Sequence, residues 1–197
     1  MSMAECPVGD GRRVRRTKTL DVQPLGGDRY AFTARLTDVS AGGDHGSGGG
    51  EARVIHDFEA EGEVTGALLE IARLEIRAPT TPYPTCPFVL RITEDLVGEQ
   101  LAAGWRRTVL AHGGGTRGCT HVNTMLLGLS EIQTMVFFLR MNGEVPFTAE
   151  ARRDGTWMRA GLAIAPQLVD ACYSLRRDGP VLGTAERAGS DGRQRDR

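Results

Sequence analysis

Lysine is almost missing from this chain. Its 197 residues carry 24 basic side chains against 25 acidic ones, yet Lys18 is the one lysine and every other basic residue is arginine. Glycine and alanine are frequent as well, so the arginine usage reads as compositional bias and not as a sign of phosphate binding. A net charge of -1 offers no surplus field to grip a nucleic-acid backbone, so nucleic acid is not an expected partner. No uninterrupted apolar run approaches the roughly 18 residues that would span a membrane. The opening MSMAECPVGDGRR lacks the apolar core of a secretory signal, so a cytoplasmic location without a membrane partner is expected. Four cysteines (Cys6, Cys86, Cys119 and Cys172) lie far apart with no C-x-x-C pair, and free thiols are expected. Nucleotide signatures are missing too. The glycines at 113–115 lead to no Lys-Ser/Thr, no G-x-G-x-x-G follows a strand, and there is no G-x-S-x-G.

What is present suits one α+β domain. Hydrophobic residues make up 40% of the chain, enough at this length for a real core. Tyr30, Phe32, Ala34 and Leu36 alternate with Thr33, Arg35 and Thr37, the period of a strand covered on one face. A strand near Thr17–Pro24 pairs with it through the LGGDR turn, and Arg53–Glu63 pairs with Leu68–Arg77 around Thr65-Gly66. The result is an N-terminal antiparallel meander. On its third strand His56 shares a face with Val54 and Phe58, while Asp57 points the other way. Helices then follow: one from Thr85 with Pro87 in its first turn, one over Leu101–His112, a long one bearing the stripe Val122 to Leu139, and one over Pro166–Arg176 with Cys172 inward. These helices are expected to cover the sheet face bearing Tyr30, Phe32, Val54 and Phe58. Residues 144–164 remain unassigned. Residues 1–12 read as a flexible arm, 13–182 as the domain, 41–51 with His45 as a glycine-rich loop, and 183–197 as a disordered tail.

The most informative stretch is GGGTRGCTH, residues 113–121, a glycine-rich loop entering a long helix. The unpaired N–H groups of a first helical turn favour an anion there, whether a substrate carboxylate or a thiolate. Cys119 and His121 therefore become candidate catalytic residues, His121 as a neutral imidazole, and Arg117 a candidate anion contact. His56 is a second acid–base candidate and Tyr83 a phenol donor, with Cys86 and Cys172 lining the same space. No metal ligand set is assigned and no cofactor is expected, because no close ligand spacing is present. The expected function is a small enzyme of lyase or isomerase type acting on a hydrophobic small molecule. The alternative is a Cys/His carrier or regulatory module binding a metal or iron–sulfur cluster.

The order Leu36-x-Asp38, His56-Asp57, Pro82-Tyr83-x-x-Cys86-Pro87, Gly118-Cys119-Thr120-His121, Asp170-x-Cys172 and Asp178-Gly179-Pro180 resembles the bacterial domain family DUF2889. The resemblance extends over about residues 13–182, with the Gly-Cys-Thr-His and Asp-x-Cys elements its most specific parts. The family name carries no activity. The resemblance implies a setting in bacterial catabolism of aromatic compounds, where cofactor-free lyases occur. A fainter similarity of layout links the sheet and Gly-Cys helix to iron–sulfur scaffold proteins, whose paired cysteines this chain lacks.

Overall fold

The computed structural model describes residues 13–42 and 52–195. The N-terminal arm with Cys6 and the glycine-rich segment with His45 lie outside them. The chain divides into two compact units, Met1–Ile132 and Gln133–Arg197.

The first unit is built on a four-stranded antiparallel sheet in sequence order: β1 (Arg13–Gly26), β2 (Arg29–Ala41), β3 (Arg53–Thr65) and β4 (Glu70–Thr80). The period of two holds on β2, where Tyr30, Phe32, Ala34 and Leu36 are all buried. Phe58, Ala60 and Val64 on β3 and Ile71, Leu74 and Ile76 on β4 extend the same core. Gly62 is required here: its cross-strand partner Phe32 lies over it, and a Cβ would strike that ring and the Arg73 carbonyl. The other face carries cross-strand charge pairs, among them Arg35–Asp57, Arg29–Glu63 and Arg77–Glu61.

One expectation fails on β3. Asp38 pairs with His56 but the next pair is Val39 with Val54, so Ile55 is an unpaired extra residue. Such a bulge reverses the alternation beyond it. Val54 therefore leaves the covered face that His56 and Phe58 share and is 46% exposed.

A 3-10 turn, Cys86–Arg91, leads into α1 (Ile92–Leu96), followed by α2 (Trp105–Gly113) and α3 (Thr120–Gly128). The helical turn does open after Thr85, but Thr85 makes no capping bond. The second helix starts at Trp105, later than the periodicity indicates, because Gly104 breaks the chain at φ 103°. Helix α1 packs on β4 and α3 on β2, and the Trp105 indole N–H donates to the Leu126 carbonyl at 2.8 Å. The apolar stripe continues from α3 through a 3-10 turn at Leu129–Glu131 into α4 (Ile132–Glu144). By length and composition Thr120–Glu144 is long and apolar enough to cross a membrane. About a third of that stretch is buried, with Val122, Met125, Leu126, Leu129 and Ile132 in the first unit and Val136 and Met141 in the second. Leu129 is fully buried, so Leu129→Ala is expected to lower stability by about 2–5 kcal/mol in chemical denaturation.

In the second unit the unassigned segment forms α5 (Ala149–Arg153), capped by the Thr148 hydroxyl, and α6 (Thr156–Ile164). The helix expected over Pro166–Arg176 does not form. Two 3-10 turns flank Asp170, which sits at φ 63° and accepts the Arg177 N–H at 2.8 Å. That local bond competes with helical pairing. Cys172 is consequently exposed and not inward. Pro180 opens a final helix, α7 (Pro180–Arg195), where a disordered tail was expected. Leu182 and Ala185, three apart and buried, anchor it.

Candidate active site

Three strands contribute one lateral polar row to the covered face of the sheet. Arg16 on β1 pairs across to Asp38 on β2, and Asp38 pairs across to His56 on β3. The alternation that buries Leu36 also buries Asp38, which is 5% exposed. A carboxylate so placed needs partners. Arg16 supplies a bidentate pair, Nε to Oδ1 and a terminal nitrogen to Oδ2, both at 2.7 Å. His56 Nδ1 lies 3.0 Å from Oδ2. Chiefly through the Arg16 bond, the Asp38 carboxyl is held below the usual carboxylate range. It is ionised at neutral pH, so His56 Nδ1 carries its proton and donates.

Helix α3 brings His121 onto this row. The two imidazoles stack with centroids 3.7 Å apart and planes inclined by 27°. Phe58 lies near both, at 6.2 Å from His56 and 6.1 Å from His121. The ring nitrogens of His121 face different groups. Nε2 is 3.5 Å from Asp38 Oδ2, and Nδ1 is 3.4 Å from Cys119 Sγ. Beside an ionised carboxylate the hydrogen belongs on Nε2, which leaves the Nδ1 lone pair facing the thiol. Burial, then the nearby His56 and Arg16, push the His121 pKa below its ordinary value against the pull of Asp38. The imidazole is thus neutral, with burial as the first cause where the sequence pointed to the helix end.

The loop before α3 fixes these positions. Gly118 packs against the Gly113 carbonyl with no room for a Cβ, and the Asn123 side-chain amide donates to the same carbonyl at 2.6 Å. Cys119 is the N-cap residue, in extended conformation, and no side chain caps the first turn.

Of the residues singled out in the sequence, His56, His121 and Cys119 come together. Arg117 does not face them as an anion contact: it is exposed and donates to the Ala111 carbonyl at 2.8 Å. Tyr83 is 68% exposed, and its hydroxyl makes no hydrogen bond among the described residues. Cys86 is half-buried, and Cys172 belongs to the second unit. The His121 side chain is 22% exposed. Asp38 and Arg16 are the members that sequence reasoning missed as site residues. The available signal was a carboxylate in the next inward position after Leu36.

One ring nitrogen from each histidine and an Asp38 oxygen lie within 4.8 Å of one another, close enough for a single metal ion. The geometry does not suit one. Imidazole lone pairs lie in the ring plane, and face-stacked rings direct them side by side. Both Asp38 oxygens already accept from Arg16, whose charge repels a cation. No cysteine belongs to this set among the described residues, so it does not resemble an iron–sulfur site. Equimolar Zn²⁺ or Co²⁺ is therefore expected to leave the melting temperature unchanged. A rise of several degrees would mean that the rings rotate round an ion.

Both pKa shifts make the fold weaker in acid. His121 has a folded value below 6.5, so the unfolded chain takes up that proton first and stability falls as pH drops below 6.5. The Asp38 contribution is full above the ordinary carboxylate value of 3.8 and is lost as pH falls through its lower folded value. Melting temperature is expected to drop between about pH 7 and 5, and to drop less in His121→Gln. Equal slopes in the two proteins would assign the effect to another group.

The fold and site define a sheet-and-helix unit in which a buried carboxylate is flanked by an arginine and two histidines, with a thiol beyond. Residues 14–135, more than half of the chain, match the family described as protein of unknown function (DUF2889), and the chain belongs to that family. The match includes Arg16, Asp38, His56, Cys119 and His121 and ends before Asp170-x-Cys172. No curated protein and no solved structure matches the chain.

Proposed function

We propose that the protein is a cofactor-independent enzyme of lyase or isomerase type that moves a proton on a small, hydrophobic, one-ring carbonyl compound. The observation that carries this reading is the sharing of one ionised carboxylate, Asp38, by two stacked imidazoles, only one of which faces the thiol. A neutral His121 accepts a proton, Asp38 stabilises the imidazolium, and His56 stands beside it as a second acid–base group.

A groove of about 180 Å³ supports the substrate class. It is lined by Lys18, Leu20 and Ala34 from the sheet and by Thr124, Met125 and Gly128 from α3. Its volume suits about one benzene-sized ring. Neither histidine lines the groove, but His121 lies one helical turn before Thr124 and Met125, and Arg16 is two residues before Lys18 on the same face of β1. Lys18 provides a cation for a carboxylate or carbonyl oxygen. A role in bacterial breakdown of aromatic compounds is the setting that the family resemblance implies.

The test is incubation with a set of aryl-substituted ketones and acids in D₂O, following C–H to C–D exchange by proton NMR. The native protein is expected to label at least one of them. Labelling that survives in the double variant His56→Gln/His121→Gln would overturn the reading.

A further inference from the structure

We propose that Cys119 is a catalytic nucleophile that adds through Sγ to the carbon–carbon double bond of an α,β-unsaturated carbonyl compound, with His121 as its base and Asp38 as the positioning residue. This deepens the acid–base reading above and rests on it for the role of His121. Three groups stand in sequence: thiol, imidazole and carboxylate. Sγ is 3.4 Å from Nδ1, and Nε2 of the same ring is 3.5 Å from Asp38 Oδ2. A nucleophile, its base and the group that orients the base make up the recurring arrangement of nucleophilic catalysis. Here the chain positions Asp38, Cys119 and His121 come from a strand and one helix start.

The step balances within the groups present. The Sγ proton passes to His121 Nδ1, and the sulfur electron pair forms a C–S bond to the β-carbon. The π-electrons move onto the carbonyl oxygen as an enolate, and the proton on His121 is delivered to the α-carbon. Reversal of the addition after rotation about the former double bond, with the α-proton returning to His121 and the sulfur leaving with the C–S electron pair and taking its proton back from His121, gives isomerase chemistry and frees the thiol. No oxidant, reductant or second substrate enters. The N–H groups of His121 and Val122, in the uncapped first turn of α3, have no intrahelical acceptor and are donors for the enolate oxygen. Cys119 is half-buried, so small molecules reach it, while most of its surroundings are protein.

N-ethylmaleimide, itself an activated alkene flanked by carbonyls, serves as the probe. Labelling is followed at pH 6 by peptide mass spectrometry, with each cysteine referred to its own rate in denatured protein. Cys119 is expected to react about tenfold or more faster than the exposed Cys172, although it is less accessible. In His121→Gln that advantage should vanish, and the steep part of the rate–pH profile for Cys119 should move to higher pH. Asp38→Asn, which keeps the shape of the side chain, should move it in the same direction by less. Circular dichroism establishes that each variant is folded. Cys119 reacting no faster than Cys172, or an unchanged profile in folded His121→Gln, would overturn the proposal. Undiminished D₂O exchange in Cys119→Ser would also overturn it, while leaving the histidine acid–base reading intact.

Discussion

Replacing His121 with glutamine is expected to slow substrate turnover by about 10²–10⁴-fold, the range for losing one positioned acid–base group. Among the described residues the imidazole is the one group that touches both Cys119 and Asp38. Glutamine preserves bulk and polarity but does not take a proton near neutral pH. It forfeits the stack on His56, for which aromatic pairs set a scale of about 0.5–1.5 kcal/mol. The variant should therefore fold, with a slightly lower melting temperature and little turnover. Exchange rates in D₂O and thermal melts on the same preparations check both parts. A parent-like rate would remove His121 from the chemistry.

The largest stability effect is expected at Phe58. Its side chain is fully buried, and its ring lies beside both imidazoles. Truncation to alanine should cost about 3–5 kcal/mol through lost burial and the cavity left behind. Phe58→Leu retains most of the volume and should cost less. Because the cavity would open beside His56 and His121, water would enter near them, weaken the burial that depresses the His121 pKa and move that value toward 6.5. Urea denaturation measures the first effect and histidine NMR titration of the leucine variant the second. A loss under about 1 kcal/mol for Phe58→Ala would mean that the core collapses freely at this point.

Local pattern made much of the first unit legible. The alternation on β2 identified the covered face, the turns located the hairpins, and the stripe after residue 120 located the helical run that the structure divides into α3 and α4. His56, Cys119 and His121 were legible because each is an uncommon residue in a constrained local setting. Asp38 was harder to see as part of the site, because its role depends on register: only pairing of β1 with β2 and of β2 with β3 sets Arg16 and His56 beside it. The unpaired Ile55 illustrates the same limit, since strict alternation put Val54 on the wrong face. Cys172 was misplaced because its apolar neighbours mimic a helical spacing, whereas the left-handed Asp170 and its bond to Arg177 decide the local fold. Helix α7 reaches Arg195 where polar composition pointed to a tail from 183, because the buried Leu182 and Ala185 are too few to stand out as a stripe. The expectation of no metal rested on sequence spacing, although ligands drawn from separate strands and a helix need no short spacing. Stacked rings and an arginine-bound carboxylate are a stronger physical ground.

The lateral row bears on the order in which the protein can fold. A buried charge without partners costs several kcal/mol, and folding routes that bury one early are disfavoured. Asp38 receives Arg16 and His56 from its two neighbouring strands, separated from it by 22 and 18 residues. Closing two consecutive hairpins is enough to neutralise it. The helices therefore come down on a surface whose charge is already paired, and His121 is added last without being needed to satisfy Asp38. Such a chain can build its meander first and its helical cover second, with no intermediate that holds a bare carboxylate out of water.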